Sequence, residues 1–204
     1  MLIAPFLSGF ALGASLIIAI GAQNAFILRM GLIRSHVFML CLVCALSDAV
    51  LIALGVAGMG AVVSAQPLLL KAIALAGAIF LFSYAILSAR RAFRPDALVP
   101  SQRQSMPLRA ALAICLALTW LNPHVYLDTV MLIGAFSTAH EGDARLAFAV
   151  GAVSSSFAWF FGLGYGARLL APLFARQVAW RILDSFIAAV MAALSLSLLR
   201  EVFA

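Results

Sequence analysis

Long apolar runs that leave little chain over constrain this sequence more than any single motif. Runs near 2–28, 37–63, 68–88, 108–137, 146–166 and 182–199 each approach the roughly 20 apolar residues a helix needs to cross a bilayer. Of the 204 residues, 66% are hydrophobic and 10% charged, where a soluble domain carries roughly 25% charged residues. That is too few to cover a water-facing surface, so the main solvent of this chain is lipid. Lipid offers no partner to backbone N–H and C=O groups, so the runs are expected as helices. The expected fold class is an all-α membrane protein with six transmembrane helices, forming a single domain over 1–204. Met1 to Phe6 carries no Lys or Arg, and the apolar run to Ile20 exceeds a signal peptide's core of about 7–15 residues. The N-terminus is therefore retained as the first span.

The net charge of +6 does not indicate nucleic acid, because nearly all charges fall between apolar runs, where they act as topology signals. The loops after spans one, three and five hold Arg29, Arg34, Arg90, Arg91, Arg94, Arg103, Arg109, Arg168, Arg176 and Arg181. The opposite side holds only Lys71, Arg145 and Arg200. The richer side is expected in the cytoplasm, which places both termini in the periplasm of a bacterial inner membrane. Cys41, Cys44 and Cys115 all sit inside apolar runs. The Cys41–Cys44 spacing has neither a preceding strand nor a following His, so these are packing residues, with no disulfide framework and no metal site implied.

The one clearly polar stretch, within 89–107, separates two groups of three spans. Repeat one covers 1–88, the linker 89–107 and repeat two 108–204. Span two carries Ala45-Leu46-Ser47-Asp48 with Gly55 following, and span five carries Val153-Ser154-Ser155 with Gly162 following. Span one holds Gly21-Ala22-Gln23-Asn24, and span four holds Leu121-Asn122-Pro123-His124. Three spans is an odd number, so a second copy must insert upside down. Two inverted three-helix repeats, with a site at their interface near the midplane, are the arrangement of many secondary transporters.

Asp48 and Asp128 lie well inside spans two and four. An acid at the bilayer centre costs at least about 2.5–3.5 kcal/mol, so such residues normally face a cavity or a partner and mark an ion or substrate path. The alternative is a neutral carboxyl that locks helices together. Asn122-Pro123 has its own mechanism, since Asn caps helix N-termini and Pro suits the first helical position. The pair can restart a helix within the membrane, presenting the positive end of a dipole to a carboxylate; an ordinary proline kink is the competing reading. His124 and Asp128, four residues apart, share a face. Gln23 and Asn24, beside Gly21, could bind substrate from an unwound stretch or hydrogen-bond across helices. Gly9, Gly13, Gly55, Gly77, Gly151 and Gly162 are expected at close helix contacts. Trp120, Trp159, Trp180, Tyr84 and Tyr165 are expected as interfacial or core aromatics.

These residues resemble the LysE family of bacterial amino-acid exporters, most closely its lysine/arginine exporter branch. The likeness rests on Gly21-Ala22-Gln23-Asn24-Ala25-Phe26 with Leu28-Arg29 and Gly31, and on Cys44-Ala45-Leu46-Ser47-Asp48 with Gly55-Val56-Ala57-Gly58. It rests also on Asn122-Pro123-His124-Val125-Tyr126-Leu127-Asp128-Thr129, and with length and layout it covers essentially the whole chain. The resemblance implies export of arginine or lysine, with no cofactor and no covalent chemistry. It implies a translocation site at Asn24, Asp48, Asn122 and Asp128, to which the residue-level reading adds Gln23, Pro123 and His124. Protons are the expected coupling partner, carried by Asp48 and Asp128, because desolvation favours the neutral form of an acid.

The rival within the same superfamily exports a neutral amino acid or another small cation, and efflux of labelled candidates separates the two. An intramembrane enzyme would need a nucleophile and base in reach, and Ser154 to Ser156 with His124 is the only candidate set. Inert scaffolding leaves the two central acids without a use. Small-residue faces suit packing within one chain or between copies, so a homo-oligomer is compatible with the sequence.

Overall fold

The computed structural model describes residues 2–18, 21–93 and 106–203, with nothing said of side chains at Ser64 and Glu201. Its described residues are helical almost throughout. In chain order they form α1 (Ile3–Ile17), α2 (Ala22–Leu32), α3 (Val37–Val56), the short α4 (Gly60–Ser64) and α5 (Pro67–Phe93). After the linker come α6 (Leu108–Trp120), α7 (Pro123–Ser137), α8 (Gly142–Gly166), two 3₁₀ turns and α9 (Gln177–Phe203). Four of these are long and apolar enough to cross a membrane: α3, α5, α8 and α9. Two further candidates are bent pairs, α1 with α2 at 84° and α6 with α7 at 60°.

Most differences from the expected spans are at the ends. Span two stops at Val56 rather than near 63, because Gly58 turns the chain with φ +91° before α4 begins. Spans three, five and six extend to 67–93, 142–166 and 177–203. The chain remains helical through Phe93, so Arg90 and Arg91 lie on α5 and not in a loop. Residues 94–105, which include Arg94 and Arg103 and most of the linker, lie outside the described residues.

The most extensive helix pairs are α5 with α9 and α1 with α8. Without a hydrophobic driving force between helices in lipid, association depends on close van der Waals approach, which small residues permit. Along α1–α8, a Cβ at Gly9 would collide with the Phe148 carbonyl, and one at Gly151 with the Phe6 carbonyl. Between α3 and α7, a Cβ on Gly55 would come within 2.6 Å of the Val130 oxygen, and one on Gly134 within 2.6 Å of the Gly55 oxygen. Gly162 departs from expectation: nothing lies within 4 Å of its Cβ position, and it is exposed. It is therefore not the counterpart of Gly55 that the spacing within the two halves suggested. The cysteines do pack, and they also bond. Cys44 and Cys115 place their Sγ atoms 3.0 Å apart across α3 and α6, and Cys41 donates to the Phe160 carbonyl at 3.1 Å.

One end of the bundle gathers most of the arginines. There the α2–α3 loop meets the end of the linker, with His36 Nε2 3.0 Å from the Met106 carbonyl oxygen. Just inside this end lies a buried ion cluster. Asp184 of α9 is 1% exposed, and its Oδ1 lies 3.4 Å from both Arg29 Nε of α2 and Arg91 Nε of α5. Arg91 donates to Ser88 Oγ at 2.7 Å and stands over the Tyr84 ring, 5.4 Å from its centroid. Removing Asp184 would leave two cations facing each other uncompensated, at about 3–5 kcal/mol. Removing Arg91, whose side chain is 30% exposed, would instead leave the Arg29–Asp184 pair in place. At the other end, Arg145 donates to Ser137 Oγ at 3.3 Å and to the Val56 carbonyl, two neutral acceptors.

The glycine contacts yield a paired expectation. Gly151→Val should lower the thermal unfolding midpoint of detergent-solubilised protein by several degrees, since overpacking costs about 1–3 kcal/mol. Gly162→Ala should leave the midpoint unchanged or slightly raised, given about 1 kcal/mol of helix propensity. Equal loss from both would contradict the close approach of α1 and α8.

Candidate functional site

Each bent pair is a helix interrupted where its backbone groups would otherwise lack partners. At the second break the sequence supplies the remedy locally. Asn122, in extended conformation, caps α7, its side chain accepting from the His124 N–H at 3.2 Å, with Pro123 at the first helical position. Tyr126 reaches back to donate its hydroxyl to the Trp120 carbonyl at 2.9 Å, satisfying one of the orphaned carbonyls at the end of α6. The first break is closed from the other direction. Asn24 Nδ2 donates to the Ile17 carbonyl at the end of α1 at 2.7 Å, and Asn24 Oδ1 accepts from Trp159 Nε1 of α8 at 3.1 Å. The two Asn residues thus have corresponding tasks, one capping a helix start and one a helix end.

Both breaks border one cavity of about 250 Å³. That lies just below the roughly 300–1,000 Å³ of pockets for drug-sized ligands, so a guest here is small. Of the residues singled out from sequence, Gln23, Asn24, Asp48, Asn122, His124 and Asp128 all line it, joined by Gly21 and Thr129. Pro123 is buried and does not; it shapes the break beneath the cavity. Asp48 is 6% exposed and Asp128 is exposed, so one acid lies deep and the other toward the open side. The Ser156 hydroxyl of α8 neighbours Asp48. Among the described residues, Gln23 Nε2 and Ser156 Oγ are buried, beside Cys44 and Asp48 respectively, without a hydrogen bond of good geometry. Buried polar atoms are seldom left so.

Three features here were not legible from spacing. Residues Tyr126–Leu132 form a π-helix, a geometry that recurs at functional sites, and it carries Asp128 and Thr129. Trp120 and Trp159 are not merely packed, since each donates its indole N–H at the site's edge, to Ser47 Oγ at 3.2 Å and to Asn24. The buried Arg29–Asp184–Arg91 cluster escaped notice because all three residues sit near span ends, where a charge reads as a topology signal. A second cavity, of about 270 Å³, is lined largely by glycine and small or apolar residues, with Arg145 its one charged group. Of the Ser154–Ser156 set, Ser154 and Ser155 donate to the Val150 and Ala152 carbonyls of their own helix.

A bundle of apolar helices, with two bent pairs around a small cavity lined by two acids, defines a multi-pass membrane protein. The chain belongs to the LysE type translocator family, which its residues 14–202 match, a family of transporters and not of enzymes. It is 47% identical over 174 residues to a candidate amino-acid transporter of Mycobacterium tuberculosis, covering 85% of this chain and 86% of the relative. It is 40% identical over 199 residues to the arginine exporter protein ArgO of Pectobacterium carotovorum, covering 97% and 98%. With the ArgO of Serratia proteamaculans, identity is 41% over 198 residues, covering 97% of each chain. No solved structure matches.

The capping at Asn122 has a direct test. Asn122→Ala should cost about 0.5–2 kcal/mol of stability, while Asn122→Ser, which keeps an acceptor, should cost less. Thermal unfolding of the two purified variants measures this, and equal midpoints would argue against the cap.

Proposed function

We propose that this protein exports basic L-amino acids, arginine and lysine, from the cytoplasm of a bacterium, driven by inward movement of protons. The observation that carries the reading is the placement of Asp48 and Asp128 on one cavity between two broken helices. The relatives named as arginine exporters support the substrate class. In this reading each bent pair is one span, so six spans cross the inner membrane as two inverted three-helix repeats. A bent pair opening each half is consistent with that. The arginine-rich end then faces the cytoplasm and both termini the periplasm.

Electrostatics sets the mechanism. Moving a +1 substrate outward against an inside-negative potential costs about 2.3 kcal/mol per 100 mV. Exchange for one inward proton moves no net charge, so the potential cancels and the pH difference drives the cycle. Asp48 and Asp128 alternate between pairing with the substrate's cationic group and holding a proton. Gln23 and Thr129 complete the polar lining around the substrate. At Asn122 the first N–H groups are already committed, that of His124 to the Asn122 side chain and that of Val125 to its carbonyl. The start of α2 at Gly21 has no side-chain cap and borders the same cavity. The substrate's carboxylate is therefore received at the first turn of α2, with the Asn122 end contributing its dipole. Asn24, tied to Ile17 and Trp159, serves chiefly to hold the break in shape.

Inside-out vesicles with labelled arginine, lysine and threonine provide the test. An imposed pH gradient should drive transport of arginine and lysine but not of threonine. Asp48→Asn and Asp128→Asn should each reduce transport to background with the protein still present in the membrane. Threonine transport, or full activity in either variant, would shift the reading to a neutral substrate or remove that acid from the mechanism.

A further inference from the structure

The transport reading uses the cavity and its two acids, but leaves the buried ion cluster at the arginine-rich end without a task. Two helices, α2 and α9, show the same order from the cavity toward that end, and α5 supplies residues to the outer two layers only. On α2, cavity-lining Asn24 is followed by buried Phe26 and then Arg29. On α9, cavity-lining Leu194 is followed by buried Met191 and Ile187, then Asp184, about 15 Å along the helix from Leu194. On α5, buried Leu81 and Tyr84 precede Ser88 and Arg91, and Tyr84 meets Phe26 edge to face at 6.2 Å. A polar cavity, an apolar plug and a charged layer are thus stacked in sequence.

The charged layer joins the two halves of the chain. Arg29 and Arg91 belong to the first half, while Asp184, which both reach at 3.4 Å, belongs to the second. Any motion that opens a path from the cavity to this end by parting α9 from α2 and α5 must break both contacts. At the opposite end, the described contacts of Arg145 are with neutral acceptors. A buried ion pair suits a reversible closure, because water can hydrate the separated charges when the path opens, and burial and pairing nearly balance when it shuts.

We propose that Asp184, bridged by Arg29 and Arg91, is the latch that closes the cavity toward the arginine-rich end during the transport cycle. The proposal rests on the transporter reading above. It assigns Asp184 a positioning role: the residue touches no substrate but sets how often the cavity is reachable from that side. Loss of the latch shifts the population toward forms open at that end.

The test is sided chemical labelling of the full-length protein in membranes. Cys41, Cys44 and Cys115 are replaced by Ala, and Thr129→Cys is introduced on the cavity wall. A membrane-impermeant maleimide is then applied to spheroplasts and, separately, to inside-out vesicles. An Arg176→Cys control, on an exposed residue of the arginine-rich end, reports which preparation exposes that end. With Asp184→Asn, labelling of Thr129→Cys should rise several-fold from the Arg176 side and fall from the other. Arg91→Gln, which retains Arg29–Asp184, should give an intermediate shift and guards against a folding failure of the first variant. Unchanged sidedness in both variants overturns the latch, even if their thermal stability falls, because a purely structural ion pair would lower stability without redirecting access. Protection of Thr129→Cys by added arginine is read separately. Its absence would count against the substrate assignment and leave the latch to be decided by sidedness alone.

Discussion

Every backbone N–H and C=O placed in hydrocarbon must find a partner within the protein, and the rest of this structure follows from how that demand is met at two interrupted helices. An uninterrupted helix satisfies itself and offers a solute nothing. A broken one exposes backbone polarity but needs side chains to stitch the ends. Asn24 to Ile17, Asn122 to His124 and Tyr126 to Trp120 are those stitches. Once the breaks are held open beside each other, a polar cavity exists within an otherwise apolar bundle, and Asp48 and Asp128 acquire a place where a carboxyl group can face something other than lipid.

The same constraint explains what the sequence made legible. Asn122-Pro123 announces its break because capping is local chemistry between neighbours, and the structure has Asn122 capping the helix Pro123 begins. Asp48 and Asp128 stand out because acids are scarce inside apolar runs, and both line the cavity. Asp184, 1% exposed, is buried more deeply than either, yet it carries no such signal in sequence, since it lies near the start of its span among arginines that read as topology signals. Its importance depends on Arg29 and Arg91, which are distant in the chain and meet it only through the packing of α2, α5 and α9. The π-helix at Tyr126–Leu132 has no local signature of that kind, since its hydrogen-bond offset is settled by the surroundings. Gly162 illustrates the opposite error: its spacing from Ser155 matches that of Gly55 from Asp48, but its environment is open while Gly55 is pressed against Val130.

Function emerges from the contrast between two kinds of charged group. Asp48 and Asp128 line the polar cavity between the two broken helices. Asp184 instead lies against two protein cations, Arg29 and Arg91, each 3.4 Å from its Oδ1. In the proposed mechanism, a site that binds a cation and a closure made of cations and a carboxylate operate without competing, because a layer holding the edge-to-face pair Phe26 and Tyr84 lies between them.

In the proposed mechanism the cavity recognises the positive charge of a basic amino acid through Asp48 and Asp128. Calorimetric titration of the purified protein with arginine, and with its uncharged near-isostere citrulline, tests it most directly. The account predicts saturable binding of arginine, little or none of citrulline, and loss of arginine binding in Asp48→Asn and Asp128→Asn. Equal binding of arginine and citrulline, or arginine binding that survives both substitutions, would contradict it.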